Sequence, residues 1–158
     1  MSDAASNYLE NKLLDHVLRF STASYSAPAT VYCALFSGTA ATVKTALESG
    51  TSSTSGAGNW GLYEITSASA YARQAITFGV AGATTPGQIT TTVTITFPVA
   101  TADYNNTATS GSTVTCLAIM DASTAGNVLF YGELAVSKQV SSGDQFTIAS
   151  GNLTVQLA

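Results

Sequence analysis

Beyond Thr30 the sequence holds several short runs in which apolar residues recur at every second position, and side chains alternate between two faces in that way only on extended strands. Val31, Cys33 and Leu35 fall on one side, and Tyr32, Ala34 and Phe36 on the other, which predicts a strand buried on both faces. A longer run sets Ile89, Thr91, Val93, Ile95 and Phe97 against Thr90, Thr92, Thr94 and Thr96. One side of that run is mostly apolar and the other β-branched but wettable. Strands are predicted over 62–66, 74–78, 88–97, 113–120, 127–134, 145–149 and 153–157. Short strands punctuated by Gly, Asn and Asp predict a mainly β fold, an antiparallel β-sandwich that is jelly-roll-like or barrel-like.

One N-terminal amphipathic helix precedes the strands, predicted over residues 3–19. Asp3 or Ser6 is its expected cap, because helix N-termini carry orphan N–H groups. Leu9, Leu13, Val17 and Leu18 recur at helical spacing, with Leu14 beside them, and Asp15 and Arg19 form an i,i+4 pair. The chain has 158 residues, near the roughly 150 expected of one domain. The division is therefore a helix over 1–20 and a sandwich over 21–158. A Ser/Thr/Gly-rich loop at 37–61 interrupts the sandwich, and Lys44 and Glu48 within it mark a helical turn. This loop reads either as a surface insertion or as an arm that orders against a neighbouring subunit. A second polar loop runs over 103–112.

Charge narrows the function. Charged residues make up 9% of the chain, where about 25% is usual, so Ser, Thr and Gly, or other chains, must cover the surface. The net charge is −4 and the five Lys and Arg are scattered, which argues against nucleic-acid binding, where clustered cations displace counterions. No apolar run approaches the roughly 18 residues that span a bilayer, so no membrane partner is expected. The N-terminus lacks a signal-peptide pattern, and synthesis in a reducing cytoplasm is expected. Cys33 and Cys116 sit in apolar runs and read as buried small hydrophobes rather than a disulfide.

Motifs for chemistry are weak. The six residues from Gly56 to Gly61 spell a dinucleotide fingerprint, but a polar tract precedes them and a strand-like stretch follows, the reverse of the required context. His16 is the sole histidine, and it lies on the helix, where a structural or solvent role outweighs that of a catalytic base. One His and two separated Cys cannot build a zinc site, and no cofactor or metal is expected. Glu64 and Glu133 are the carboxylates with a chance of meeting across strands. The stretch 121–127 lacks the acid alternation of a calcium loop and reads as a hairpin turn. No enzyme emerges.

The helix stripe must dock on its own sheet or on sister chains. Among aromatics, Trp60 in its Gly-rich loop is the leading interface anchor. Tyr71 and Arg73 are also singled out, Arg73 being the only cation between Lys44 and Lys138. Arg73 reads first as an internal salt bridge or carbonyl tie, and second as an inter-subunit fork onto a carboxylate. The interface candidates are thus Leu9, Leu13, Val17, Trp60, Tyr71 and Arg73.

The strings NYLENKLLDHVL at 7–18, ATVYCALF at 29–36, YARQAITF at 71–78, ITFPVATAD at 95–103, AIMDA at 118–122, GNVLFYG at 126–132 and KQVSSGD at 138–144 resemble small tailed-phage virion proteins of the tail fibre type. The chain departs from that pattern by a longer stretch between Phe36 and Glu64 and by Tyr104 where Trp is commoner. The resemblance implies a non-enzymatic virion structural protein on the tail, as fibre, adaptor or baseplate-periphery subunit. It would act as a homo-oligomer, with a trimer suggested by phage fibres generally, bound to other phage structural proteins. A capsid decoration or cement protein is the alternative within this class. A host-glycan-binding module is the alternative outside it, with Trp60, Tyr63 and Tyr104 as sugar-stacking candidates.

Overall fold

The computed structural model describes residues 4–19, 25–49, 59–83, 85–108 and 112–157. A two-residue strand, β1 (Ala4–Ala5), leads into helix α1 (Asn7–Leu18). The predicted helix start at residue 3 is too early because β1 instead pairs antiparallel with β7 (Val128–Gln139), Ala4 opposite Tyr131 and Ala5 opposite Phe130. Ser6 is the cap: its hydroxyl oxygen accepts from the Leu9 N–H at 3.3 Å, and the hydroxyl donates to the Val128 carbonyl. The Ser6 N–H donates to the Leu129 carbonyl at 3.0 Å, so one residue both starts the helix and ties it to the sheet. Asp3, the other predicted cap, lies outside the described residues.

The main sheet has the order β1-β7-β6-β2-β3, where β2 is Val31–Ser37, β3 is Gln74–Ile76 and β6 is Thr113–Met120. All its pairings are antiparallel. β2 lies between β6 and β3 and is buried on both sides: Cys33 and Leu35 enter one core, and Ala34 and Phe36 the other. Cys116 shares the second core with Phe36, its register partner. The two thiols therefore lie on opposite faces of the sheet, and no disulfide joins them.

Among the described residues two α-helices flank this sheet, where the sequence predicts one. α2 (Ala40–Ser49) lies within the predicted loop 37–61 and lays Val43, Ala46 and Leu47 on the second core. Its sequence mixes helix-favouring Ala, Lys, Leu and Glu with β-branched Thr and Val, so the local signal is divided. Tertiary packing of the apolar face at 43, 46 and 47 holds it. Lys44 reaches across to β7, where its Nζ donates to Glu133 Oε2 at 3.1 Å, an exposed contact. Residues 50–58 of the loop lie outside the described residues.

Over the other face lie two small ladders, β4 (Gln88–Thr90) with β9 (Thr154–Gln156) and β5 (Ile95–Thr96) with β8 (Thr147–Ile148). Ile95, Phe97, Phe146, Leu153 and Val155 from this region fill the first core with Leu9, Leu35, Leu117 and Ile119. Among the described residues the architecture is thus mixed α/β with antiparallel sheets, without the closed sandwich that the sequence predicts. The predicted strand 88–97 breaks because its partner changes midway. Thr91 turns inward, donating its N–H to the Leu153 carbonyl and accepting from Gly151, while Thr92, Val93 and Thr94 face solvent. The predicted strand 62–66 is instead a 3-10 turn, Trp60–Leu62, followed by an isolated bridge from Glu64 to Phe36. The Asn59 side chain accepts from the Gly61 N–H at 3.0 Å, and such local bonds compete with extended pairing.

Because Leu47 is fully buried beneath the sheet, Leu47→Ala should cost about 2–5 kcal/mol in urea unfolding. A loss under about 0.5 kcal/mol, as at a surface site, would show that α2 is not part of the packed body.

Candidate functional site

Arg73 stands one residue before β3, and its side chain lies inside the molecule, 4% exposed. Its guanidinium forks onto Glu64: Nε donates to Oε1 and Nη2 to Oε2, each at 2.7 Å. Nη1 donates to two carbonyls of the β6–β7 turn, Ala122 at 2.8 Å and Ala125 at 2.7 Å. The Trp60 ring lies 5.2 Å from Cζ, within reach of a cation–π attraction. Tyr71 completes the cluster by donating to Glu64 Oε1 at 3.1 Å and accepting from the Leu35 N–H at 3.0 Å.

The turn that receives Nη1 is itself fixed. The Asp121 carboxylate accepts from the Asn127 N–H at 2.6 Å and from its Nδ2 at 2.7 Å. Ala125 and Gly126 take positive φ, 50° and 74°. A Cβ on residue 126 would lie 2.3 Å from Asp121 Oδ1, so the carboxylate can close over the turn only if that residue is glycine. This is the hairpin turn that the sequence predicted for 121–127.

Burial alone would discourage the Arg73 charge, but the hydrogen bonds and charge of Glu64 outweigh it and hold the guanidinium more firmly protonated. Burial, and next the Glu64 carboxylate, raise the Tyr71 phenol well above its usual 10. Burial likewise pushes the Cys33 thiol up to about 12. The cluster is a clamp: the carboxylate meets a permanent cation, and the phenol holds its proton.

Leu9 is buried in the first core and Leu13 half-buried against it, whereas Val17 is 73% exposed. Trp60, Tyr71 and Arg73 are buried within the chain, and the fork of Arg73 closes on this chain's own Glu64. Tyr104 is fully buried and Tyr63 partly so, which leaves Trp60 and Tyr104 no open ring face for a sugar. Glu64 and Glu133 do not meet; each has a cation of its own. His16 lies exposed on α1. Among the described residues, no group of three or more His, Cys, Asp or Glu is placed to hold a metal, and no helix is long and apolar enough to cross a membrane. Gly56–Gly58 of the fingerprint lie outside the described residues, and the rest of it forms the 3-10 turn.

Sequence reasoning missed Asn106. This buried residue of the 103–112 loop donates from Nδ2 to the Ser37 and Tyr63 carbonyls, closing the loop onto the end of β2. Its only signal was membership of an Asn-rich turn.

Residues 4–156 match a family model, Gp80, described as podophage GP4 fiber I protein gp80. No curated protein matches the chain.

Arg73→Ala leaves the Glu64 carboxylate buried without its cation and should cost about 3–5 kcal/mol in stability. Replacing Arg73 and Glu64 together by Met should cost less, and a larger loss in the double variant would contradict the clamp. The raised Tyr71 and Cys33 values set the sign of an alkaline effect: below their unfolded values both states stay protonated, and above them only the unfolded chain gives up protons. The urea midpoint should therefore fall between neutral pH and about pH 10.5, less steeply in Tyr71→Phe, and a midpoint flat in pH would contradict the burial of these groups.

Proposed function

The chain belongs to the podophage fibre protein family, and we propose that it is a non-enzymatic subunit whose copies associate with one another on the tail and seat against a neighbouring virion protein through α1. Family membership implies a structural role in the tail fibre and a place in the virion. The observation that supports the finer reading is the outer face of α1. Ser6 and Leu9 anchor the helix start, while Leu14, Val17 and Leu18 stand 56%, 73% and 77% exposed. They recur at i, i+3 and i+4, so they form one patch on a rigid support. A helix that turns such a patch to water gains nothing by it unless another surface covers it.

Of the interface candidates, Val17 and the half-buried Leu13 keep surface for such a contact. Fibre, adaptor and baseplate-periphery positions all use this chemistry. Burial of Trp60 and Tyr104 removes the main sequence support for a glycan module, and nothing in the fold favours a capsid cement over a tail subunit.

Replacing Val17 and Leu18 together by Asp changes exposed positions, so melting should barely move. Incorporation into purified particles, read by immunoblot against a major virion protein, should fall at least about tenfold, the effect of losing about 1.4 kcal/mol of binding. Unchanged incorporation would overturn the role given to α1.

A further inference from the structure

We infer that the uncharged layer over the first core is the face on which a second copy of this chain docks, through the same layer of its own. The inference rests on the self-association proposed above and uses a surface other than the outer face of α1. Residues 74–102 and 145–158 contain no Asp, Glu, Lys, Arg or His, so all five basic and nine acidic residues fall elsewhere. These two stretches pair with each other in the β4–β9 and β5–β8 ladders. Between the ladders the Thr91 N–H donates to the Leu153 carbonyl at 3.0 Å, and the Ser150 N–H to Thr94 Oγ1 at 3.3 Å. They therefore form one continuous layer, in which Thr84 and Ala158 lie outside the described residues.

Val80, Val93, Val99 and Leu157 of this layer are each more than half exposed. Several of its hydroxyls are already engaged within it. Thr90 and Thr154 share a hydrogen bond at 3.3 Å, and Thr92 donates to the Thr77 carbonyl at 3.4 Å. Covering hydroxyls that already have partners costs little, whereas a sugar would need those hydroxyls for itself, so a protein surface fits better than a glycan. Charged residues are depleted in the cores of protein interfaces, and covering this layer strands no charge. The choice of a second copy follows from charge. Each chain carries a net −4, and copies repel through charges that all lie outside the layer. Meeting through it keeps those like charges far apart. A sister copy presents the same neutral surface, while a charged partner finds nothing there to pair with. An open groove of about 350 Å³, lined by Gly79, Val80, Gln88 and Ser150, gives the face relief that a sister side chain can enter.

Light scattering on the full chain tests this with Val80 and Val93 replaced together by Asp, or together by Lys. Both positions are exposed, so melting should barely move in either variant. The wild type should show the mass of at least two chains, and both variants the mass of one at the same concentration. The lysine variant is the sharper test, because it lowers the net negative charge and would strengthen association if overall repulsion alone decided it. Dissociation by Asp but not by Lys, or an assembly that survives both, would overturn this contact and leave self-association standing. A wild-type mass of one chain would overturn both.

Discussion

The buried Arg73–Glu64 pair is the constraint on which the arrangement of the loops depends. Removing two charges from water is costly, and their attraction offsets that cost only when geometry is good and the remaining donors are satisfied. Here the fork is bidentate and the spare Nη1 donors meet the Ala122 and Ala125 carbonyls. Three segments, the Trp60 turn, the approach to β3 and the β6–β7 turn far along the chain, can satisfy the charges only together. The pair therefore selects one arrangement of this end of the sheet more than it adds net stability. Asp121 and Gly126 reinforce the choice by closing the same turn from its other side.

The two-faced sheet does the rest. With only 9% charged residues, the chain must bury apolar surface on both sides of β2 and β6, and α2 on one side and the small ladders on the other accomplish this. What is left uncovered is then informative. The outer face of α1 is an apolar surface displayed on a regular element, as suits a protein with a structural role.

Legibility in the sequence followed the strength of local signals. β6 was predicted at its observed bounds, and β2 was readable because a strand buried on both sides is a continuous apolar run with its own alternation. The run 88–97 misled because Thr and Ile alternate without interruption across Thr91, where the partner strand changes; pattern alone carries no record of the partner. α2 was reduced to a turn because Ala40, Ala41, Thr42 and Thr45 are also acceptable in a loop, and its stability comes from the sheet beneath. Arg73 stood out as an isolated cation, and an internal tie was the leading reading. Its partner Glu64 was not legible, since the 3-10 turns between them impose no spacing rule. The helical stripe was read as one surface, whereas Leu9 turns inward and Val17 and Leu18 outward.

A chain with the structural role proposed above sits on the tail of the assembled particle. Gold-labelled antibody against it, imaged on purified particles, tests that most directly. Label confined to the tail and its fibres is the expected result; label spread over the head would overturn the tail role and make the chain a capsid decoration protein.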